Sequence, residues 1–277
     1  MSEPVRLDSK SVAKKKDEEG IGETIKVIVQ ALLIALVVRT LLFQPFNIPS
    51  GSLIPTLLIG DYLFVSKYSY GYSRFSAPCI PASLLSSSFH DICLPATWSG
   101  RVWGASPKRG DIAVFKLPRD GETDYIKRVI GLPGDRIQMI EGRLYINGQI
   151  VPREPIAPKI KTADPYGVQV EVPSYYETLP GGVKHQVIEI HGDDGDLDNT
   201  KVFEVPPGNY FMMGDNRDNS TDSRVPPEQG GVGFVPFENF VGRAEVIFFS
   251  ASDGEPAWQF WKWPWILRWS RLFQPVR

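Results

Sequence analysis

The sequence predicts a mainly β protein. One N-terminal transmembrane helix precedes an antiparallel β-rich domain that carries an inserted β-rich subdomain. Three observations predict this. An apolar run, Val27 to Val38, lies near the N-terminus. Short alternating apolar runs fill the rest of the chain, as half-buried strands do. Gly 25 and Pro 24 in 277 residues exceed average usage and mark many turns.

Residues 1–20 are polar and of mixed charge, with Lys14-Lys15-Lys16 before Asp17-Glu18-Glu19. They read as a disordered tail. The helix is expected over 21–45. Its uncharged stretch is shorter than the ~20 residues a span needs. Lys26 and Arg39 flank it and can snorkel to the two interfaces, which restores the length. A buried helix of a soluble core and a cleaved secretory signal compete with a retained anchor. The anchor is favoured, because no small-x-small site follows the run. The lysine triplet puts the N-terminus in the cytoplasm, so residues beyond Phe43 lie outside.

Residues 46–250 form the expected β-rich domain. Tyr62-Leu63-Phe64-Val65, Ile112-Ala113-Val114-Phe115 and Arg143-Leu144-Tyr145-Ile146 alternate between turn residues. Asn147-Gly148 suits a type I′ turn and predicts a hairpin. Residues 74–108 and 152–200 read as insertions. The second holds an acidic loop, Asp193-Asp194-Gly195-Asp196-Leu197-Asp198, without the glycine placement or final glutamate of a calcium loop. It reads as a solvated turn. Residues 251–277 hold five of the seven tryptophans: Trp258, Trp261, Trp263, Trp265 and Trp269. Lys262, Arg268 and Arg271 lie among them. A packed core segment and a membrane-interfacial segment both fit, and interfacial contact is favoured.

Lys+Arg 30 against Asp+Glu 32 leaves no basic excess, so no nucleic-acid partner is expected. Two cysteines and three scattered histidines build no zinc pattern, and no metal or cofactor is expected. A disulfide between Cys79 and Cys93 and a pair of buried free thiols fit equally well. His90, His185 and His191 sit in no motif and read as loop or surface residues.

Three segments carry chemistry. Phe46-Asn47-Ile48-Pro49-Ser50-Gly51-Ser52-Leu53-Ile54-Pro55-Thr56-Leu57 offers a serine just outside the apolar run. Asp124-Tyr125-Ile126-Lys127-Arg128-Val129 offers a lysine inside a strand-like run, next to an arginine that alternation points to the opposite, outward side. A buried lysine loses its proton more readily and can activate a serine without histidine. The Ser52 backbone N–H, with the Ser50 hydroxyl, can receive an oxyanion. Gly214-Asp215-Asn216-Arg217-Asp218-Asn219-Ser220-Thr221-Asp222-Ser223-Arg224 is dense in groups that can brace such a dyad. The plain alternatives are an ordinary Ser/Gly turn, an exposed edge-strand lysine and a charged surface loop.

Together with Leu58-Ile59-Gly60-Asp61 and Arg109-Gly110-Asp111-Ile112-Ala113-Val114-Phe115, these segments resemble bacterial type I signal peptidases (leader peptidases). The resemblance spans residues 25–250. It implies a membrane-anchored serine endopeptidase that cleaves N-terminal signal peptides from exported preproteins after Ala-x-Ala-like motifs. Ser52 would be the nucleophile and Lys127 the base, with Ser50 in the oxyanion hole. Ser220 would hydrogen-bond Lys127. Asp222 with Arg224, and Asp215 with Arg128, would support the site. Phe46, Ile48, Pro49, Leu63, Val114, Asp124 and Ile126 would line pockets for small side chains. The resemblance further implies a monomer in the cytoplasmic (inner) membrane, single-pass, catalytic on the periplasmic side and in contact with membrane lipid. Many Gram-negative members have two spans; one is visible here. Val225–Val232 is an addition before Gly233-Phe234-Val235-Pro236, and Leu53-Ile54 stands where methionine is frequent. A peptidase dedicated to one secretion system and a non-catalytic membrane scaffold are the competing readings.

Overall fold

The structure, a computed structural model, describes residues 9–76, 79–80, 92–93, 99–163, 168–252 and 259–277. Residues 1–8, His90, Trp258 and the thiols of Cys79 and Cys93 lie outside the described set.

Helix α1 runs from Ser9 to Val37 and ends in one π-helical turn, Val38–Leu42. Gly22–Leu42 is 21 residues long; its most apolar 18-residue window has mean hydropathy 2.2, and none of that window is buried. At a rise of about 1.5 Å per residue it is about 30 Å long, the thickness of a hydrocarbon core. Helical backbone starts well before residue 21, inside the stretch expected to be a disordered tail. Lys, Glu and Ala are strong helix formers, and extending an existing helix costs far less than nucleating one.

The strands follow in order. β1 (Phe43–Asn47), β2 (Asp61–Ser66) and β3 (Tyr72–Ser73) lead into the first insertion, which holds β4 (Cys79–Ile80), β5 (Ile92–Cys93) and β6 (Arg101–Val102). β7 (Ile112–Lys116), β8 (Asp124–Gly131), β9 (Arg136–Ile140), β10 (Arg143–Ile146) and β11 (Gln149–Ile150) come next. The second insertion supplies β12 (Arg153–Ala163), β13 (Gln169–Thr178) and β14 (Lys184–Ile188). β15 (Phe203–Glu204), β16 (Asn209–Met213), β17 (Val235–Pro236) and β18 (Phe240–Ser250) complete the set before a short helix α2 (Trp263–Ile266).

The main sheet has seven strands in the order β1-β2-β18-β7-β8-β16-β17, with antiparallel pairing throughout. Leu63, Val65, Val114 and Ile247 bury one cluster against Ile48, Leu53 and Leu57. Phe115, Val129, Met212 and Phe240 bury a second. The hairpin of β10 and β11 turns through Asn147 and Gly148, both at positive φ (54° and 77°), the geometry of a type I′ turn.

The second insertion is its own three-stranded sheet, β12-β13-β14, whose end meets the loop after β16 through an Ile188–Asn216 bridge. Three sequence expectations are corrected by the structure. Arg128 does not point outward to water but is 0 % exposed. His185 is a buried β14 residue rather than a loop or surface one, whereas His191 is exposed. The acidic loop is not wholly solvated, since Asp198 is 0 % exposed. In the first insertion Cys79 and Cys93 are register partners in the β4–β5 ladder. Arg101 fastens its base by donating to the carbonyls of Phe237, Glu238 and Phe240.

The C-terminal segment returns along β18. Phe273 N donates to Ile247 O at 2.7 Å and Val276 N to Glu245 O at 2.8 Å. Arg271 donates to the buried Asp61 carboxylate. Trp261, Trp265, Trp269, Phe260 and Phe273 stay more than half exposed.

Candidate active site

Ser52 sits in a 3₁₀ turn, Gly51–Leu53, between β1 and β2. Leu53 at the end of the turn and Leu57 just after it are fully buried, which fixes it on the core. Ser52 is left at the core's edge, 7 % exposed. Lys127 comes from the middle of β8, where Tyr125 two residues earlier shares its side of the strand and lays its ring 5.4 Å from Nζ. Lys127 Nζ donates to Ser52 Oγ at 2.6 Å across 75 residues of sequence.

Lys127 is buried, and desolvation brings its pKa down to about 8. The Arg224 charge acts in the same direction, while Asp222 and Asp215 oppose it. A depressed pKa does not by itself mark a base. Lys67 is also brought down to about 8 by burial, yet among the described residues its Nζ reaches only the Ser76 carbonyl, at 3.5 Å. Proximity to a hydroxyl separates the two lysines.

The loop after β16 wraps this pair. Asn216 N donates to Ser52 O at 3.0 Å, and its Nδ2 to Gly51 O at 3.2 Å, so the serine turn is held by its own backbone. Asp222 accepts from Gly214 N at 3.0 Å and from Arg224 Nε and Nη2 at 3.0 and 2.9 Å. Arg224 also donates 2.5 Å to Arg217 O. Arg128 forks onto Asp215, whose other carboxylate contact is the Thr56 hydroxyl at 2.5 Å. Burial alone would raise the Asp215 carboxyl, and the Arg128 guanidinium overrides it and holds the group far below the carboxylate range. His185 lies 3.4 Å from Asp215 and 3.6 Å from Glu177. Burial and the Arg128 charge push the imidazole down, which keeps it neutral.

A cleft of about 370 Å³ opens beside the dyad. Pro49–Ser52 forms one wall, Asp124–Lys127 the other, and Asn219 and Thr221 the end. Ser50 is exposed in extended backbone at the mouth of the serine turn. The Ser52 N–H lies in the first turn of that helix, where no intrahelical acceptor exists.

Two groups of expected site residues fall elsewhere. Pro49, Asp124 and Ile126 line the cleft, but Ile48, Leu63 and Val114 are 0–2 % exposed and belong to the core beneath it. Phe46 packs on that core, half-buried. The reason is strand alternation: the apolar residues that looked like pocket walls face the sheet's packed side. The expected Ser220–Lys127 hydrogen bond is not formed. Ser220 Oγ is buried and, among the described residues, without a hydrogen-bond partner, tucked against Gly214, while the Lys127 amine is turned to Ser52.

Sequence reasoning missed Asn216, Asn219, Thr56 and His185. The first three lie inside segments already marked by composition, so a search for backbone-pinning side chains there would have found them. Nothing in the sequence marks His185.

The family described as "Signal peptidase, peptidase S26" matches residues 21–249. Signal peptidase I of Rickettsia typhi (strain ATCC VR-144 / Wilmington) is 43% identical over 224 residues, covering 79% of this chain and 76% of that protein. Signal peptidase I of Rickettsia massiliae (strain Mtu5) is 40% identical over 248 residues, covering 88% of this chain and 84% of that one. Among solved structures, a signal peptidase I from Enterococcus faecalis V583 is 25% identical and aligns with TM-score 0.28 over 50% of this chain and 97% of that chain. The match runs from the apolar helix to the end of β18 and takes in both halves of the Ser52–Lys127 pair, so the chain belongs to the signal peptidase family, peptidase S26, and is a serine protease.

Proposed function

We propose that this chain is a membrane-anchored signal peptidase I that removes N-terminal signal peptides from exported preproteins, with Ser52 as nucleophile and Lys127 as general base. The observation that carries the assignment of roles is the 2.6 Å contact between Lys127 Nζ and Ser52 Oγ in a buried setting.

Neutral Lys127 takes the Ser52 proton as Oγ attacks the scissile carbonyl. The resulting oxyanion is received by the Ser52 N–H, with the Ser50 hydroxyl within reach of the same mouth. The protonated lysine then returns its proton to the leaving amine, and an ester remains on Ser52. Water, deprotonated by the same lysine, releases the signal peptide and restores the serine.

The substrate end lies extended along β8. The β16 ladder with β8 stops at Arg128, so the backbone of Tyr125–Lys127 offers an edge to which a strand can add. Such pairing supplies affinity without demanding sequence. The shallow floor over Ile48, Leu63 and Val114 admits small side chains and rejects large ones, which suits an Ala-x-Ala-like junction.

Membrane contact continues past the helix. Phe43, Phe64 and Phe248 form a run of ring contacts, and Tyr62, Phe249 and Trp263 extend it to the exposed tryptophan tail. Aromatic rings beside Lys262, Arg268 and Arg271 favour the headgroup layer. The enzyme works on the outer face of the cytoplasmic membrane. One chain supplies every group of the dyad, which supports action as a monomer.

The test is cleavage of a preprotein with an Ala-x-Ala junction in detergent by wild type, Ser52→Ala and Lys127→Met. Wild type cuts after the second Ala and both folded variants are inactive. Cleavage by Lys127→Met removes the lysine from its role.

A further inference from the structure

We propose that Glu189, Asp198 and Asp218 form a site for a hard divalent cation, calcium, that ties the inserted sheet to the loop closing the active-site cleft. The three carboxylates come from three separate segments between residues 189 and 218. Glu189 follows β14 directly, Asp198 ends the acidic loop, and Asp218 precedes Asn219, which lines the cleft. One oxygen from each lies within 4.8 Å of the others. A single ion about 2.4 Å from each oxygen bridges that span.

A second observation shows that these groups lack what they need. Glu189 is 0 % exposed, and both its carboxylate oxygens are buried without a hydrogen-bond partner among the described residues. Asp198 is 0 % exposed, and its Oδ1 is likewise unpartnered. Buried carboxylates in native proteins are paired or coordinate metals. The nearby cations do not fill the need. Arg153 Nη1 is 3.6 Å from Glu189 Oε1, beyond hydrogen-bond distance, and its Nη2 is taken by Asp193 at 2.8 and 2.9 Å. Arg217 is committed to Glu177 and Arg224 to Asp222.

The cradle is shaped for close approach. A Cβ on Gly195 would sit 2.3 Å from Asp218 Oδ1 and 3.0 Å from Asp198 Oδ2, so only glycine admits both carboxylates there. The remaining oxygens have modest duties: Asp198 Oδ2 accepts Gly195 N at 2.6 Å and Asp218 Oδ2 accepts His191 N at 2.7 Å. The donor set is all oxygen, which excludes a soft metal. Calcium fits because it tolerates irregular geometry and completes its shell with water, which the partly exposed Asp218 side admits. The acidic loop thus binds without the linear pattern of a calcium loop, because two of the three ligands lie outside it.

The experiment uses the full chain in detergent, stripped with chelator and titrated calorimetrically with calcium chloride or magnesium chloride, with the melting temperature followed in parallel. One calcium per chain is expected, and at a hundredfold excess over the dissociation constant Tm rises by roughly 5–10 °C. Magnesium gives the smaller response. Glu189→Gln, which keeps the shape and removes the charge, is expected to weaken calcium binding at least tenfold and abolish the Tm response. Asp218→Asn, on the open side of the cluster, is expected to do the same and serves if the buried variant does not fold. Asp194→Asn, in the same loop but outside the cluster, keeps the wild-type response. No heat and no Tm shift at 10 mM calcium (about ten- to a hundredfold above the dissociation constants of extracellular calcium sites) overturns the proposal. An undiminished response in both Glu189→Gln and Asp218→Asn overturns it too, and a larger response to magnesium overturns the assignment to calcium.

Discussion

Arg128 presents Nε and Nη2 to the two carboxylate oxygens of Asp215, at 2.8 and 2.7 Å, and both side chains are at most 1 % exposed. The pair lies one residue from the base on β8 and one residue from Asn216 on the loop that pins Ser52. It therefore couples the two halves of the dyad mechanically. A buried pair adds little over an apolar replacement of the same shape, but removing one partner strands a charge. Asp215→Ala is expected to lower unfolding stability by about 3–5 kcal/mol, read by urea denaturation in detergent. Replacing both, as Arg128→Met with Asp215→Ala, is expected to cost less than the sum of the single changes. Additive losses would show that the two charges do not interact.

The pH dependence of cleavage follows from the lysine. The base is active when neutral, and burial places its pKa at about 8. Its fellow groups do not titrate nearby. The Arg224 guanidinium more than offsets the burial of Asp222 and holds it below the ordinary carboxylate value, while burial keeps His185 below its ordinary value. The value of kcat/KM should therefore rise with pH through a single ionisation near 8 and level off above it. A profile flat from pH 5 to 9 would rule out Lys127 as the base.

Gly214 tests how tightly the loop must approach. A Cβ there would lie 2.3 Å from Ser220 Oγ and 2.5 Å from Ser52 O. Backbone cannot yield at that distance, so Gly214→Ala displaces the serine turn. A shift of about 1 Å at the reacting atoms costs on the order of a hundredfold in rate. The loss is expected in kcat with KM little changed, because the strand edge of β8 is untouched. An unaltered kcat would mean that the loop adjusts freely around Ser52.

Much of this was legible in the sequence, for identifiable reasons. Alternation in Tyr62–Val65, Ile112–Phe115 and Arg143–Ile146, and the Asn147-Gly148 turn, are local signals that a sheet face and a type I′ geometry produce directly. The Ser52 and Lys127 segments were visible because few chemistries need a lysine inside an apolar strand. What stayed hidden is non-local. Whether Arg128 faces water depends on Asp215, Thr56 and the carbonyls of Gly110 and Arg277, which come from other parts of the chain to take its guanidinium, and alternation says only that it opposes Lys127. Ile48, Leu63 and Val114 look alike as pocket wall or core, since both are apolar. The burial of Asp198 beside Glu189 and Asp218 cannot be read from a loop whose own spacing is that of a solvated turn.

Replacing the base should make the protein more stable while destroying its activity. A lysine whose pKa falls from 10.5 to about 8 on folding is disfavoured in its charged form by about 3 kcal/mol. Below pH 8 both folded and unfolded chains carry the proton, and the folded state bears that full cost. Between about 8 and 10.5 the folded lysine is neutral while the unfolded one still binds a proton, so the cost falls as pH rises. Above 10.5 it is gone. Lys127→Met removes the charge and fills the space with an adaptable apolar chain of similar length. It also leaves the Ser52 hydroxyl without its partner, which offsets roughly 1 kcal/mol. The variant should therefore be inactive and more stable than wild type by roughly 2 kcal/mol at pH 7. That advantage should shrink steadily as the comparison is moved toward pH 10. Equal stability of the two proteins at pH 7, or an advantage that does not change with pH, would show that the folded chain does not disfavour charge on Lys127.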